Sequence, residues 1–343
     1  MKLLLTGTAG FIGSSLVAHL LRVDSDLELI SLDSLDYAGN RINLDSIQGG
    51  IESDRHRFVH GSICDRELVN EIVGEGIDGI INLAAHTHVD RAYYRPESFI
   101  RNNVEGVLNL LRAAAQYGVP RFLQVSTDEV YGAVKADAPC DEMAPLRPGN
   151  YYSSSKASAD LYISAASNYG EVDAVIIRGT NNFGPRQFPE KLIPFFTGRI
   201  LTGQNLPLYG DGKQMRDWLY VEDFCRAIWL VFTKGARGEI YNAGAGNHMS
   251  NYDLTRRLIA ILDADPVLIK CVADRPGHDF CYAVDWGKIE KLGWRPKADF
   301  ENALADTVCW YRDNPEWCET ILKESTDSDS DTGFFDRHYR DRN

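Results

Sequence analysis

The sequence predicts a doubly wound α/β fold: a parallel sheet with helices on both faces, followed by a smaller C-terminal substrate-binding region. Three observations predict it. Short apolar runs alternate with helix-spaced segments over the first half of the chain, and right-handed crossovers turn that rhythm into a parallel sheet. The first run leads into Gly7-Thr-Ala-Gly10-Phe-Ile-Gly13. The second leads to Asp33, 20 residues after Gly13.

The elements follow in order. Runs at 2–6, 27–32, 57–60, 79–84, 122–126 and 174–178 read as buried parallel strands. Between the fourth and fifth, Phe99, Val104, Val107, Leu108, Leu111 and Ala114 recur near helical spacing. After 180 Pro, Gly and Asn become frequent, at 181–194 and 207–212, which predicts long loops over the carboxyl edge of the sheet, where ligands bind. Residues 219–234 read as a helix, 239–243 as a strand returning to the sheet, and 254–262 and 300–312 as helices of the smaller region. The expected division is therefore 1–180 with 219–243 as one domain, and 181–218 with 244–320 as the second region. An acidic tail, 321–343, is expected to be loosely held.

Composition excludes several classes. A net charge of −13 argues against a nucleic-acid surface. The seven cysteines are odd in number and include no Cys-x-x-Cys, so free thiols in a reducing compartment are expected and a metal site is not. No apolar run approaches the ~18 residues of a membrane span, and 2–5 lead straight into a glycine turn rather than a targeting segment. A cytoplasmic location without membrane partners is the expectation.

The glycine turn carries the first chemistry. At a strand–helix junction one glycine permits the tight turn. A second lets a pyrophosphate approach the free N–H groups of the helix start, and a third permits close helix–strand packing. A carboxylate at Asp33 is placed to accept hydrogen bonds from an adenosine ribose and to repel a 2′-phosphate, which favours NAD over NADP.

The reacting groups come next. Tyr152 and Lys156 are four apart and share a helix face, whereas Tyr151 points elsewhere. Lowering a phenol from its usual pKa of ~10 to ~7 takes about 4 kcal/mol of differential stabilisation, which nearby positive charge in a partly dry site can supply. Thr127, Asp128 and Glu129 follow the fifth strand, at the end that faces the crevice. Thr127 can bond a substrate hydroxyl. Two adjacent carboxyls point in different directions, so one can stay protonated as an acid while the other is ionised as a base. The plainer alternative for such a pair is a solvated acidic loop.

At this point the residues resemble the extended short-chain dehydrogenase/reductases, and within them the dTDP-glucose 4,6-dehydratases. The resemblance runs from Lys2 to Tyr311. It rests on Thr-Gly-x-x-Gly-Phe-Ile-Gly at 6–13, Asp-Ser-Leu-Asp-Tyr-Ala-Gly-Asn at 33–40, His-Val-Asp-Arg at 88–91 and Ser-Thr-Asp-Glu-Val-Tyr-Gly at 126–132. The later marks are the Tyr152/Lys156 pair, Asn-Asn-Phe-Gly-Pro-Arg-Gln-Phe-Pro-Glu-Lys-Leu-Ile-Pro at 181–194, Arg-Asp-Trp at 216–218 and Asp-Arg-Pro-Gly-His-Asp at 274–279. The resemblance implies that Tyr152 takes the proton of a sugar 4-hydroxyl while carbon 4 gives hydride to NAD. Glu129 then removes the carbon 5 proton, Asp128 protonates the departing 6-hydroxyl, hydride returns to carbon 6, and carbon 5 is reprotonated.

The resemblance also implies binding sites. The NAD site would use Gly7, Gly10, Phe11, Ile12, Gly13, Asp33, Ser34, Leu35, Ser62, Ile63, Leu83, Ala84, Ala85, Thr87 and Asn102, with Tyr152 and Lys156. The nucleotide-diphosphate hexose would be held by His88, Thr127, Asn181, Glu190, Lys191, Leu192, Pro207, Tyr209, Arg216, Asn242, Arg275 and His278. For Arg216 and Arg275 the alternative is structural pairing with Asp217 and Asp274. A homodimer through helices near 97–117 and 152–169 is implied as well. The chain departs from the family at Ser62, His86, Asn102, Tyr151 and Phe280-Cys281. His86 reads as a satisfied structural histidine near the cofactor rather than a new acid or base. Thr87 and Arg178-Gly179 are similar to UDP-glucose dehydratases, so UDP-glucose stands second to dTDP-glucose. A related NAD-dependent epimerase or decarboxylase, or a non-catalytic NAD-binding protein, remains the alternative.

Overall fold

The computed structural model describes residues 1–36, 38–45, 47, 54–274 and 278–328. Seven strands form one parallel sheet: β1 (Lys2–Thr6), β2 (Glu28–Asp33), β3 (His56–His60), β4 (Gly79–Asn82), β5 (Phe122–Thr127), β6 (Ala174–Gly179) and, later in the chain, β10 (Ile240–Ala243). Their order across the sheet is β10-β6-β5-β4-β1-β2-β3. The chain winds outward from β1 to β3, then crosses back to β4 and winds the other way. The carboxyl ends of β1 and β4 therefore diverge, opening a crevice at that edge. The strands are apolar on both faces because helices cover both. Leu3, Leu5, Ile81, Leu123 and Ile177 pack on one side with Phe11–Val23 and Val221–Lys234; Leu4, Ile80, Phe122 and Ile176 pack on the other with Gly106–Tyr117 and Tyr151–Tyr169.

Two small sheets follow that period-2 reasoning missed. One joins β7 (Asn181–Phe183), β9 (Met215–Tyr220) and β11 (His248–Ser250); the other joins β8 (Leu206–Tyr209) and β12 (Ile269–Val272). Four of these five strands have only three or four residues, too few for a legible alternation, and β9 has six with two charges side by side. The expected helix at 219–234 starts at Val221, because Leu219 and Tyr220 complete β9. Their core is separate, built on Phe183, Ile193, Phe196, Trp218, Leu254 and Leu304.

The C-terminal boundary also differs from the expectation. Pro315–Ser328 is helical, and Ile321 is 1% exposed beside Phe188, Tyr311 and Trp317. An amphipathic stretch preceding the acidic run docks here, where charge composition alone suggested a tail. The rest of that expected tail, 329–343, lies outside the described residues.

Candidate active site

The phosphate-binding turn explains its glycines one by one. Gly7 has φ +69°, and a Cβ there would lie 2.7 Å from the Ala84 backbone nitrogen. A Cβ on Gly13 would meet Thr8 Cα at 2.7 Å. Gly10 is different: its nearest protein atom would be Gly7 O at 3.4 Å, so a side chain there would instead fill the cavity above the helix start. That open cradle fits a pyrophosphate. Beside it the Asp33 carboxyl, 7% exposed, accepts from the Ala9 and Leu35 backbone N–H groups, each at 2.8 Å, and burial pushes its pKa up. Behind the turn a buried polar chain joins β1, β4 and β5. Thr6 Oγ1 donates to Asn82 Oδ1, Asn82 Nδ2 donates to Gln124 Oε1 at 2.7 Å, and the Ala84 N–H reaches back to Thr6. These three polar side chains were not singled out from sequence, because each sits inside an apolar strand run.

The cavity over this turn has a volume of about 300 Å³. Every cofactor position expected from sequence lines it except Leu35. Leu35 instead adopts φ 52° and packs on the core, and its backbone N–H orients Asp33. His86 lines the cavity too, with Nε2 2.9 Å from Asp36 Oδ2 and its ring edge-on to Phe99. It is a partnered histidine, in line with the structural reading. Its backbone is clamped by Asn103, whose amide also reaches Ser155 Oγ at 2.8 Å. Asn103 lies in a π-helical turn, Arg101–Glu105, a type of distortion that often marks functional sites.

The reacting groups converge on the same cavity. Asn150 caps the helix Tyr151–Tyr169 with a reciprocal Asn150–Ser153 pair, which sets the register that turns Tyr152 and Lys156 inward. Tyr152 is 7% exposed and packs edge-on to Phe99; Lys156 donates to Val125 O at 2.8 Å. Burial lowers the Lys156 pKa to about 8, against the pull of Asp160. The helix is held to β6 by Arg178, which donates to Asp160 Oδ2 at 2.9 Å and to Tyr131 OH at 2.8 Å.

Thr127 caps the 3-10 turn Asp128–Tyr131 by accepting from the Glu129 N–H at 3.2 Å. Asp128 is 3% exposed, and its Oδ2 has no hydrogen-bond partner among the described residues. Burial first, then the neighbouring Glu129 and Asp217, push its pKa well above the usual carboxylate range. An ion there would lack solvation, which favours the neutral carboxyl. Glu129 is half-buried, with Asn150 Nδ2 and Tyr282 OH each 3.5 Å from its Oε2. The Tyr282 proton serves Asp279 Oδ2, which is nearer at 2.7 Å. Neither Asn150 nor Tyr282 was expected from sequence; their partners lie 21 and 153 residues away.

A second cavity of about 200 Å³ meets the first at Glu129, Asn181, Glu190 and Lys191. His88, Leu192, Pro207, Tyr209, Arg216 and His278 line it, as expected for substrate positions. Arg216 does not pair with Asp217. Its fork donates to the carbonyls of Met215, Asp279 and Phe280 and lies over the Tyr282 ring at 4.4 Å, whereas Asp217 accepts from the Ala245 and Asn247 N–H groups. Glu190 is buried among His88, Arg91 and Lys191 at 3.6–3.8 Å. Asn242 corrects the sequence reading: it lines neither cavity. Its side chain accepts from Tyr131 OH at 2.8 Å and donates to the carbonyls of Cys140 and Asp285. It thereby anchors the turn that carries Asp128. Arg275 lies outside the described residues. Among the described residues no group of His, Cys, Asp and Glu could hold a metal ion, and no helix is long and apolar enough to cross a membrane.

Comparisons with known proteins identify the family. A dTDP-glucose 4,6-dehydratase of Streptomyces niveus is 43% identical over 340 residues, covering 97% of this chain and 100% of the relative. The low-salt glycan biosynthesis protein Agl12 of Haloferax volcanii is 45% identical over 316 residues, covering 92% and 100%. The crystal structure of DesIV, a dTDP-glucose 4,6-dehydratase of Streptomyces venezuelae with NAD and dTDP bound, superposes with a TM-score of 0.90. It is 46% identical and covers 94% of this chain and 100% of that one. A family profile described as GDP-mannose 4,6 dehydratase matches residues 4–307. Fold, cavity and similarity agree, and the chain belongs to that family, among the extended short-chain dehydrogenase/reductases.

Proposed function

We propose that this protein is an NAD-dependent nucleotide-sugar 4,6-dehydratase, a hydro-lyase that converts dTDP-glucose to the 4-keto-6-deoxy sugar. The observation that carries the reading is Asp128: a buried carboxyl with an oxygen unpartnered among the described residues, next to Glu129, in the cavity that also holds Tyr152 and Lys156. Simple oxidation or epimerisation at carbon 4 has no use for such an acid beside a second carboxyl. The NAD bound in DesIV and the open cradle over Gly10 support NAD as the resident cofactor.

NAD held in the first cavity would supply the acceptor for hydride from carbon 4 and the donor of hydride to carbon 6. Tyr152 takes the proton of the 4-hydroxyl, with the buried Lys156 ammonium favouring the phenolate. The carbon 4 ketone acidifies carbon 5, where Glu129 takes the proton; once carbon 6 has received hydride, carbon 5 is reprotonated with a proton that has exchanged with solvent. Asp128 gives its proton to the 6-hydroxyl, which leaves as water. Thr127 bonds a sugar hydroxyl. Residues of the second cavity, with Lys191 and Arg216 as the cations, would hold the nucleotide diphosphate. In this division 1–180 with 219–243 serves the cofactor, and 181–218 with 244–320 serves the nucleotide sugar.

Offering dTDP-, UDP-, GDP-, CDP- and ADP-glucose to the purified protein tests the reading. A product lighter by one water, with solvent deuterium on carbon 5, is expected from dTDP-glucose. An unchanged mass with every sugar nucleotide would sink it, and an epimer without deuterium would identify the redox rival. We further propose a homodimer. Tyr93, Ile100, Leu161 and Tyr162 are exposed on mutually packed helices around 89–117 and 151–169, apolar side chains that a second copy of the chain would cover. Sedimentation should give twice the chain mass. A monomer at all concentrations tested would refute the dimer.

A further inference from the structure

The helix Pro315–Ser328 lies beyond the residues 4–307 that the family profile matches, yet, packed against Tyr311 of the preceding helix, it takes part in two ties to segments that border the cofactor cavity. One tie runs through Trp317. Its indole N–H donates to Asn43 Oδ1 at 3.0 Å, and Asn43 Nδ2 donates to Ala9 O at 2.8 Å. Ala9 belongs to the phosphate-binding turn, and its own N–H is held by Asp33. The loop bearing Asn43 wraps that turn closely: the Asn40 N–H also donates to Ala9 O, and a Cβ on Gly39 would lie 2.6 Å from Asp33 Oδ1. The other tie runs through Tyr311, in the adjoining helix Phe300–Asp313. Its hydroxyl lies 3.1 Å from Gly184 O and 2.9 Å from Gln187 O. Gln187 and its neighbour Phe188 also line the cavity. Phe188, Tyr311, Trp317 and Ile321 close the arrangement as one buried cluster against Ala38 and Ile42.

We infer that this C-terminal helix is a strap over the cofactor site and that Trp317 is a positioning residue for cofactor retention, acting through Asn43 on the Ala9 turn. The physical reason is the location of the two ties. The turn's backbone N–H groups must keep a fixed direction to bind an anion, and the Ala9 carbonyl of that turn accepts from both Asn40 and Asn43. A buried hydrogen bond from outside the sheet limits how far the loop bearing them can open. An enzyme that uses its cofactor twice within one turnover gains from slow release, and the strap supplies it without touching the reacting atoms.

This inference rests on the reading that the cavity holds NAD. The test is the rate at which the holoenzyme loses NAD. Trp317→Phe keeps a ring in the cluster and removes only the N–H donor, so release should quicken about 5-fold, the effect of one buried hydrogen bond. Without added NAD its turnover should fall over time. With saturating NAD its kcat should return to within about twofold of the parent, while the apparent affinity for NAD stays weaker. Release at the parental rate overturns the strap. So does a lower kcat that added NAD cannot restore, because that is the mark of general structural damage. If Trp317→Phe does not fold, Tyr311→Phe carries the same expectation and the same refutations through the other tie. A parent chain that binds no NAD would sink the cofactor reading itself, an outcome distinct from unchanged release in the variant.

Discussion

Asp128→Asn is expected to cut turnover by about 10²–10⁴-fold, the usual contribution of a positioned general acid, while leaving oxidation at carbon 4 intact. The amide matches the carboxyl in shape but cannot give a proton to the leaving hydroxyl. With dTDP-glucose the variant should therefore stall after the first hydride transfer, and absorbance of reduced nicotinamide should build up on the enzyme. A variant that turns over at the parental rate would remove Asp128 from the mechanism. The same substitution has a second expected effect, on stability. The folded state holds the Asp128 pKa well above 3.8 because burial and the charges of Glu129 and Asp217 oppose its ionisation. A raised carboxyl pKa means the group's contribution is intact below the unfolded value and is lost as pH rises through the folded one. Asn never ionises. Thermal unfolding should thus show parent and variant alike near pH 3.5, below that unfolded value, with the variant gaining as pH rises. A constant difference at all pH values would show that Asp128 is not held protonated by its surroundings.

Tyr152→Phe is expected to lose a comparable factor, about 10²–10⁴, but at the opposite end of the sequence of steps. Without the phenol nothing accepts the 4-hydroxyl proton, so no reduced nicotinamide should appear at any time. The ring remains against Phe99, at a centroid distance of 6.5 Å, and the fold should survive. The two variants separate oxidation from elimination by one optical readout. Accumulation of reduced cofactor in Tyr152→Phe would mean that another base starts the reaction.

Most of the cofactor site was legible in the sequence because it is local. Three glycines at fixed spacing, a carboxylate ending the next strand and a Tyr-Lys pair on one helix face are short-range patterns whose geometry follows from backbone rules. The acid–base pair was legible as chemistry, since Asp128 and Glu129 end a strand that meets the crevice. The division of their roles was left to resemblance, because burial and charge neighbours decide it. The Asp217 charge that raises Asp128 comes from β9, and the Tyr282 near Glu129 comes from 153 residues away. Asn242 was misread for the same reason: a motif position says where a residue stands, not which partner uses up its amide.

By itself the sequence determined the doubly wound sheet, the glycine turn and the spacing of Tyr152 and Lys156, all of which depend on periodicity and on neighbours a few residues apart. Only the tertiary structure decided that burial raises the Asp128 pKa, that Asn242 braces the Asp128–Tyr131 turn, and that the C-terminal helix reaches the phosphate-binding turn through Trp317 and Asn43, 274 residues apart. These outcomes depend on which groups exclude water from one another. Desolvation and long-range hydrogen bonds arise between segments brought together by folding, and no local pattern in the chain records them.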